Sequence, residues 1–233
     1  MIARIATALV LLPIVLWVVH TGGWAFGGTI LLVGALSVHE HAGMVLPKEA
    51  NIKKAWLAFL GVMFGLAAIT GGLTSTAAPA ILGLLPIAAL LPFLFSTGPM
   101  ETVAARALMA LGGLWWIGGM FYATISLRFM PEGAGWIYLV VVTAFGTDTG
   151  AYFAGRFLGS RKLYPKVSPN KTWEGAVGGT IIGTAAAFAV NHYLGPGMEP
   201  THLAALAPLA AMLGQIGDLA ESMLKRSVGV KDS

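Results

Sequence analysis

Apolar residues run along this chain in long blocks rather than in alternation, and the blocks are of a size to be measured against a lipid bilayer. A helix needs about 20 mostly apolar residues to cross the hydrocarbon core. Blocks of roughly that length run from Ile5 to Val19, Trp24 to Val38, Ala55 to Thr70 and Ala78 to Phe95. Four more run from Val103 to Leu127, Trp136 to Phe157, Trp173 to Leu194 and Leu203 to Leu224. Gly, Pro, Thr and Ser stretches such as Thr70 to Pro79 and Gly195 to Pro200 punctuate them. The pattern predicts an all-α, polytopic transmembrane helical bundle of about eight spans. Prolines 13, 86, 92 and 208 fall inside blocks and are expected to kink them.

Composition narrows the class. Of 233 residues 57% are hydrophobic and 10% charged, which excludes an ordinary globular surface. With no cysteine there is no disulfide, thiolate metal site or cysteine nucleophile, so any metal must be held by oxygen or imidazole. The net charge of +4 is accounted for by basic cytoplasmic loops, and nucleic acid is not an expected partner. Arg4 precedes an apolar run like that of a signal peptide, but no small-residue cleavage site follows, which predicts an uncleaved first span.

With the amino terminus in the cytoplasm and loops assigned alternately, Arg4, Lys48, Lys53, Lys54, Arg106, the bases from Arg156 to Lys171, Lys225, Arg226 and Lys231 all fall inside. Arg128 alone falls outside. Lys and Arg are retained on the cytoplasmic side, so this bias predicts the orientation. The chain reads as one membrane-embedded domain, 1–233, in which 1–146 form an apolar scaffold and 147–233 carry the concentrated charge.

Within that second region three constellations stand out. Asp148 lies well inside a span, about 200° around the helix from Gly146 at about 100° per residue. Gly146, Gly150 and Ala154 make a small-residue ridge for a neighbouring helix. Asp148, Tyr152 and Arg156, at i, i+4 and i+8, therefore make a polar line expected to face a cavity, although a purely structural ion pair is an alternative. Next, Ser168 before Pro169 reads as an N-cap with proline at the first helical position. Free N–H groups there, beside Lys166 and Lys171, would suit phosphate oxygens, and a solvated basic loop is the alternative. Gly175, Gly179 and Gly183 follow as a packing ridge. Finally, Gln215, Asp218, Glu221, Ser222 and Lys225 share one helix face. Two carboxylates one turn apart suit Mg²⁺; a Glu221–Lys225 surface pair is the competing reading. His39-Glu40-His41 is a poor metal site, because residues two apart on a helix diverge, and Glu40 at a helix end is its more interesting member.

Together these residues resemble the phosphatidate cytidylyltransferase (CDP-diacylglycerol synthase) family of bacteria. The likeness rests on Thr147-Asp148-Thr149-Gly150-Ala151-Tyr152-Phe153-Ala154-Gly155-Arg156, on Ser168-Pro169-Asn170-Lys171-Thr172-Trp173-Glu174-Gly175, and on Gly217-Asp218-Leu219-Ala220-Glu221-Ser222-Met223-Leu224-Lys225-Arg226 with Gly229-Val230-Lys231-Asp232-Ser233. Before Thr147 it is mainly one of hydropathy, plus Glu40. The resemblance implies cytidylyl transfer from CTP to phosphatidate, giving CDP-diacylglycerol and pyrophosphate, with Mg²⁺ and room for a second cation. It implies Asp218 as leading metal ligand assisted by Glu221, Lys225 and Arg226 as phosphate neutralisers, and Asp148 orienting a cation or a base. Substrate contacts are implied for Tyr152 and Arg156, for Ser168, Asn170, Lys171, Thr172 and Glu174, and for Ser222, Lys231 and Asp232. An integral protein of the bacterial cytoplasmic membrane is implied, with the site facing the cytoplasm and membrane lipid and CTP as partners; a homodimer is compatible with it. In the family the last motif continues past Ser233 into a Gly-rich stretch, His-Gly-Gly and Asp-Arg-x-Asp. The chain as given is therefore expected to lack a carboxylate of the metal site and to turn over weakly. A CTP-using lipid kinase and a cation-coupled transporter are the alternatives; the absence of an inverted repeat weighs against transport.

Overall fold

The computed structural model describes residues 13–46, 51–69, 77–96 and 99–230. It forms two compact units, Met1–Pro131 and Glu132–Ser233. In the first, residues 13–21 are the described part of helix α1 and lead through Gly22 into α2 (Gly23–Val45). Helices α3 (Asn51–Ile69), α4 (Ala77–Leu94) and α5 (Met100–Phe129) follow. In the second, α6 (Gly133–Phe157) leads into a two-stranded hairpin, β1 (Lys162–Tyr164) and β2 (Ser168–Thr172), and then into α7 (Trp173–Tyr193) and α8 (Pro200–Ser227).

Among the described residues α3, α5, α6, α7 and α8 are long and apolar enough to cross a membrane, and α4 carries a shorter apolar stretch, Leu82–Leu94. Large apolar side chains such as Leu32, Leu36, Ile87, Val140, Phe145, Ile181 and Leu213 are exposed, as they are where hydrocarbon is the solvent. The chain is an integral membrane protein.

Packing in the first unit is set by small residues facing large ones. Phe64 of α3 is buried against Gly118 of α5, and Val38 of α2 against Gly61 of α3. The Arg128 guanidinium reaches the end of α1, its Nε donating to the Val19 carbonyl at 2.8 Å and Nη2 to the His20 carbonyl at 3.2 Å. It packs against Gly22, whose φ of +64° no side chain would tolerate easily. The α2 helix continues to Val45, so Glu40 sits inside it, not at its end, and is exposed. His41 beside it is buried, with Nε2 3.1 Å from the Met109 carbonyl oxygen.

In the second unit α6 and α7 approach closely. A Cβ on Gly150 would come within 2.8 Å of the Gly178 carbonyl oxygen, and one on Gly179 within 2.7 Å of that of Thr147. The ridges Gly146-Gly150-Ala154 and Gly175-Gly179-Gly183 thus face each other's helices. Thr143 and Thr147, buried in this contact, return their hydroxyls to the Leu139 and Thr143 carbonyls at 2.6 and 2.8 Å, which satisfies both donors within the helix. Away from the hairpin, Leu139, Ala187, Val190, Leu203 and Ala207 make a core shared by all three helices. Asn191 clasps the α7–α8 turn through two hydrogen bonds with the Met198 backbone, at 2.8 and 2.9 Å.

The hairpin leaves the all-α class in place and corrects one expectation, an N-cap at Ser168. Ser168 pairs with Tyr164 and Lys162 with Thr172 in antiparallel register. Helix α7 begins four residues later: Thr172 is the N-cap, its Oγ1 accepting from Gly175 N at 3.1 Å. Proline's fixed φ and missing N–H suit an unpaired strand position as well as a first helical turn, so Ser-Pro alone did not discriminate. Thr172, followed by Glu174 in the first turn, carries the true cap signal.

Gly179→Ala is expected to destabilise the detergent-solubilised protein by about 1–3 kcal/mol through overpacking. Gly214→Ala, where a Cβ meets nothing within 4 Å on α8, is expected to be neutral or to stabilise by up to about 1 kcal/mol. Thermal unfolding of the two variants side by side checks this.

Candidate active site

Asp148, Arg156, Lys171 and Asp218 of the second unit meet at one cavity of about 570 Å³, lined by three helices and the hairpin. From α6 come Asp148, Tyr152 and Arg156, one side chain per turn along a single line. The α6–α7 seam lies on the other side of this helix, through Gly146 and Gly150, so the polar line is turned away from the tight contact. From β2 come Asn170, Lys171 and Thr172, and from β1 Leu163. Helix α8 contributes Gln215 and Asp218, one turn apart.

The central contact is an ion pair between Lys171 Nζ and Asp218 Oδ2, which joins β2 to α8 across 47 positions of sequence. Asp148 lies within electrostatic reach of both partners. One ammonium group is therefore shared by the field of two carboxylates. Gln215 fixes α8 at this level: its Nε2 donates to the Ala176 carbonyl at 3.2 Å and to Thr180 Oγ1 at 3.1 Å, both on α7. Arg156 Nη1 lies 3.5 Å from the Tyr152 hydroxyl, a long contact along the α6 line.

Glu174 does not line the cavity. Its Oε1 accepts from Ser160 Oγ at 2.6 Å, and both its oxygens lie 3.2–3.3 Å from the Arg161 N–H. Alongside, Trp173 N donates to the Arg161 carbonyl at 3.0 Å. Two adjacent residues of α7 thus close the base of the hairpin, and the closed hairpin carries Lys171 to Asp218.

Several expected site residues are placed elsewhere. Glu221 pairs with Lys225 at 2.7 Å across one helical turn and points into no shared site with Asp218. The i, i+4 geometry favours that pair over a joint carboxylate ligand set. Ser168, Ser222 and Arg226 are not among the cavity-lining residues. Lys231 and Asp232 lie outside the described residues. Conversely, sequence reasoning put Gln215 on the polar face without a role, and it passed over Ser160 and Leu163. The spacing of Gln215, three before Asp218, was the available signal; nothing local marks Ser160 as the partner of a residue 14 positions later.

Among the described residues no cluster of three or more His, Asp or Glu side chains forms a closed metal cage. The donors around the cavity are two carboxylates, Asp148 and Asp218, and the neutral oxygens of Asn170, Gln215 and Tyr152. Such a set fits a hard divalent cation that keeps water and phosphate ligands and does not fit a soft metal.

Comparisons with known proteins bear on this geometry. The model of the cytidylyltransferase family matches residues 2–233. A phosphatidate cytidylyltransferase of Brucella suis biovar 1 is 32% identical over 247 aligned residues, which take in 99% of this chain and 82% of the relative. The enzyme of the same name from Bacillus subtilis is 40% identical over 119 residues, 51% of this chain and 44% of its own. That from Haemophilus influenzae is 44% identical over 98 residues, 40% of this chain and 34% of its own.

If Glu174 closes the hairpin, Glu174→Ala should speed amide hydrogen exchange between Arg161 and Thr172 by roughly tenfold or more, with α6 amides unchanged. Glu174→Gln, which keeps one acceptor oxygen, should fall between. Equal protection of the hairpin in all three proteins would refute the clasp.

Proposed function

This chain belongs to the cytidylyltransferase family, and from that premise we propose that it transfers the cytidylyl group of CTP to phosphatidate, forming CDP-diacylglycerol and pyrophosphate. The observation that carries the site assignment is the meeting of Asp148, Lys171 and Asp218, from three separate elements, at one cavity. An oxygen of the lipid phosphate attacks the α-phosphorus of CTP. The bond from that phosphorus to the β-phosphate oxygen breaks as the new one forms, and pyrophosphate leaves with its electron pair. A phosphate monoester's second pKa is about 6, so the nucleophile is largely ionised at neutral pH and no side chain has to remove a proton.

The obstacle is repulsion between two polyanions, and it is met by fixed charge and alignment. Lys171, held at the cavity by Asp218 and by the hairpin, and Arg156, at the end of the α6 line, supply positive charge to phosphate oxygens. Asn170 and Tyr152 offer hydrogen bonds to the same groups. Asp218, with Asp148 opposite, is the ligand set for Mg²⁺, which when bound supplies charge neutralisation and in-line alignment. Glu221 is left out of that set, because it does not line the cavity. Lys225 and Arg226, in the last turn of α8, act as cations at the rim, two turns beyond Asp218. Glu174 acts on substrate only through the hairpin it braces, whereas Thr172 both caps α7 and lines the cavity. The cavity faces the cytoplasm, where CTP is found, with the amino terminus on the same side and about eight spans in the bacterial cytoplasmic membrane.

With CTP labelled at the α-phosphorus, reconstituted protein should move label into a lipid product and release one pyrophosphate per turnover. Label that reaches lipid only from the γ-phosphorus, with CDP released, would establish a kinase in its place. Asp218→Asn should lower kcat roughly 100-fold or more while the protein remains folded. Glu221→Gln should leave turnover within a few-fold of the parent. An Asp218→Asn protein with full Mg²⁺-dependent activity would remove Asp218 from the site.

A further inference from the structure

Part of the hairpin lines the cavity and part of it does not. In β1 Leu163 lines the cavity, whereas its neighbours Lys162 and Tyr164 are not among the residues that line it. Both are exposed, as are Arg161 at the hairpin base and Lys166 in the turn. Ion pairs in this unit are formed by Lys171 and Lys225; among the described residues Arg161, Lys162 and Lys166 form none. Glu174, the nearest carboxylate in sequence, is engaged by Ser160 and the Arg161 backbone. Outside the cavity the hairpin therefore presents an outward surface with three cations that form no ion pair among the described residues and an exposed tyrosine. Phe157 at the end of α6 and Trp173 at the start of α7, also exposed, flank it.

β2 runs directly into α7 and β1 is joined to the end of α6 through residues 158–161, and both helices are long and apolar enough to cross a membrane. Arms of up to five residues reach roughly 16 Å at most. That is about two Debye lengths at physiological salt, so charges on an upright hairpin are largely screened from the headgroups and charges on a reclining one are not. Basic side chains interleaved with aromatic ones are the chemistry of the bilayer interface.

We propose that the outward face of the hairpin, through Arg161, Lys162, Tyr164 and Lys166, docks on the anionic headgroups of the bilayer in which the chain is embedded. This surface is distinct from the cavity residues that take substrate. The bilayer is the partner because the cations form no ion pair among the described residues, the short arms keep them within roughly 16 Å of the helix ends, and Tyr164 has the amphipathic ring that headgroup depth selects. Each basic residue near an anionic leaflet favours docking by about fivefold.

The native chain has no cysteine, so a fluorophore sensitive to polarity can be placed at the exposed turn by Pro165→Cys in the full chain without background. The labelled protein is reconstituted in phosphatidylcholine vesicles with and without phosphatidylglycerol. Phosphatidylglycerol is expected to shift the emission to the blue and to lower quenching by aqueous iodide several-fold. High salt, and the pair Lys162→Gln with Lys166→Gln, should each remove most of that change. Emission independent of lipid composition overturns the proposal. So does a composition effect that survives the double substitution, or equal shielding by CTP or pyrophosphate in phosphatidylcholine alone, which would assign these cations to substrate phosphates. The readout requires no turnover, so failure here leaves the cytidylyltransfer reading standing, and failure of that reading leaves this one measurable.

Discussion

The site depends on how closely α6 and α7 can approach. A line of glycines lets backbone touch backbone, and in a membrane, where lipid is as apolar as leucine, such close packing is a main source of helix association. Any side chain larger than hydrogen at Gly150 or Gly179 would meet a carbonyl oxygen of the other helix. With that seam fixed, the rotation of α6 is fixed, and Asp148, Tyr152 and Arg156 can point only to the other side. The carboxylate is in the cavity because the glycines are in the seam.

The remaining members of the site are brought in by polar contacts at the seam's edge. Thr172 caps α7 and sits against Gly155 and Gly159 at the end of α6, so the same close approach that orients Asp148 also anchors β2. Glu174 and Trp173 close the hairpin one step further on. Gln215 bonds α8 to two consecutive turns of α7 and so sets the height of Asp218, three residues later. Lys171 meets Asp218 at the point where these two independent devices agree.

Much of this was legible in sequence, because helical periodicity converts spacing into direction. The glycine ridges and the polar line of α6 follow from counting, as do the approximate limits of most described helices. What failed to read were features decided by tertiary contact. A proline after serine looks the same in a hairpin strand and in a first helical turn, and only pairing with Lys162 and Tyr164 separates the two. Glu221 and Asp218 share a helix face by spacing, yet the face is broad, and Lys225 one turn away captures one of them. The α2 helix runs past its apolar block to Val45, because His41 turns inward to the Met109 carbonyl and the helix remains packed where hydropathy has already faded.

Arg128 stands apart from the other bases in the loop count, alone on its own side. Its guanidinium is fastened to the last carbonyls of α1, where it also meets the negative end of that helix's dipole. A cation held in this way serves as a structural fastener, its side chain directed by contacts inside the protein. Tallying basic residues to orient a polytopic chain assumes that each is presented to the leaflet, and here one of the tallied charges is not on offer.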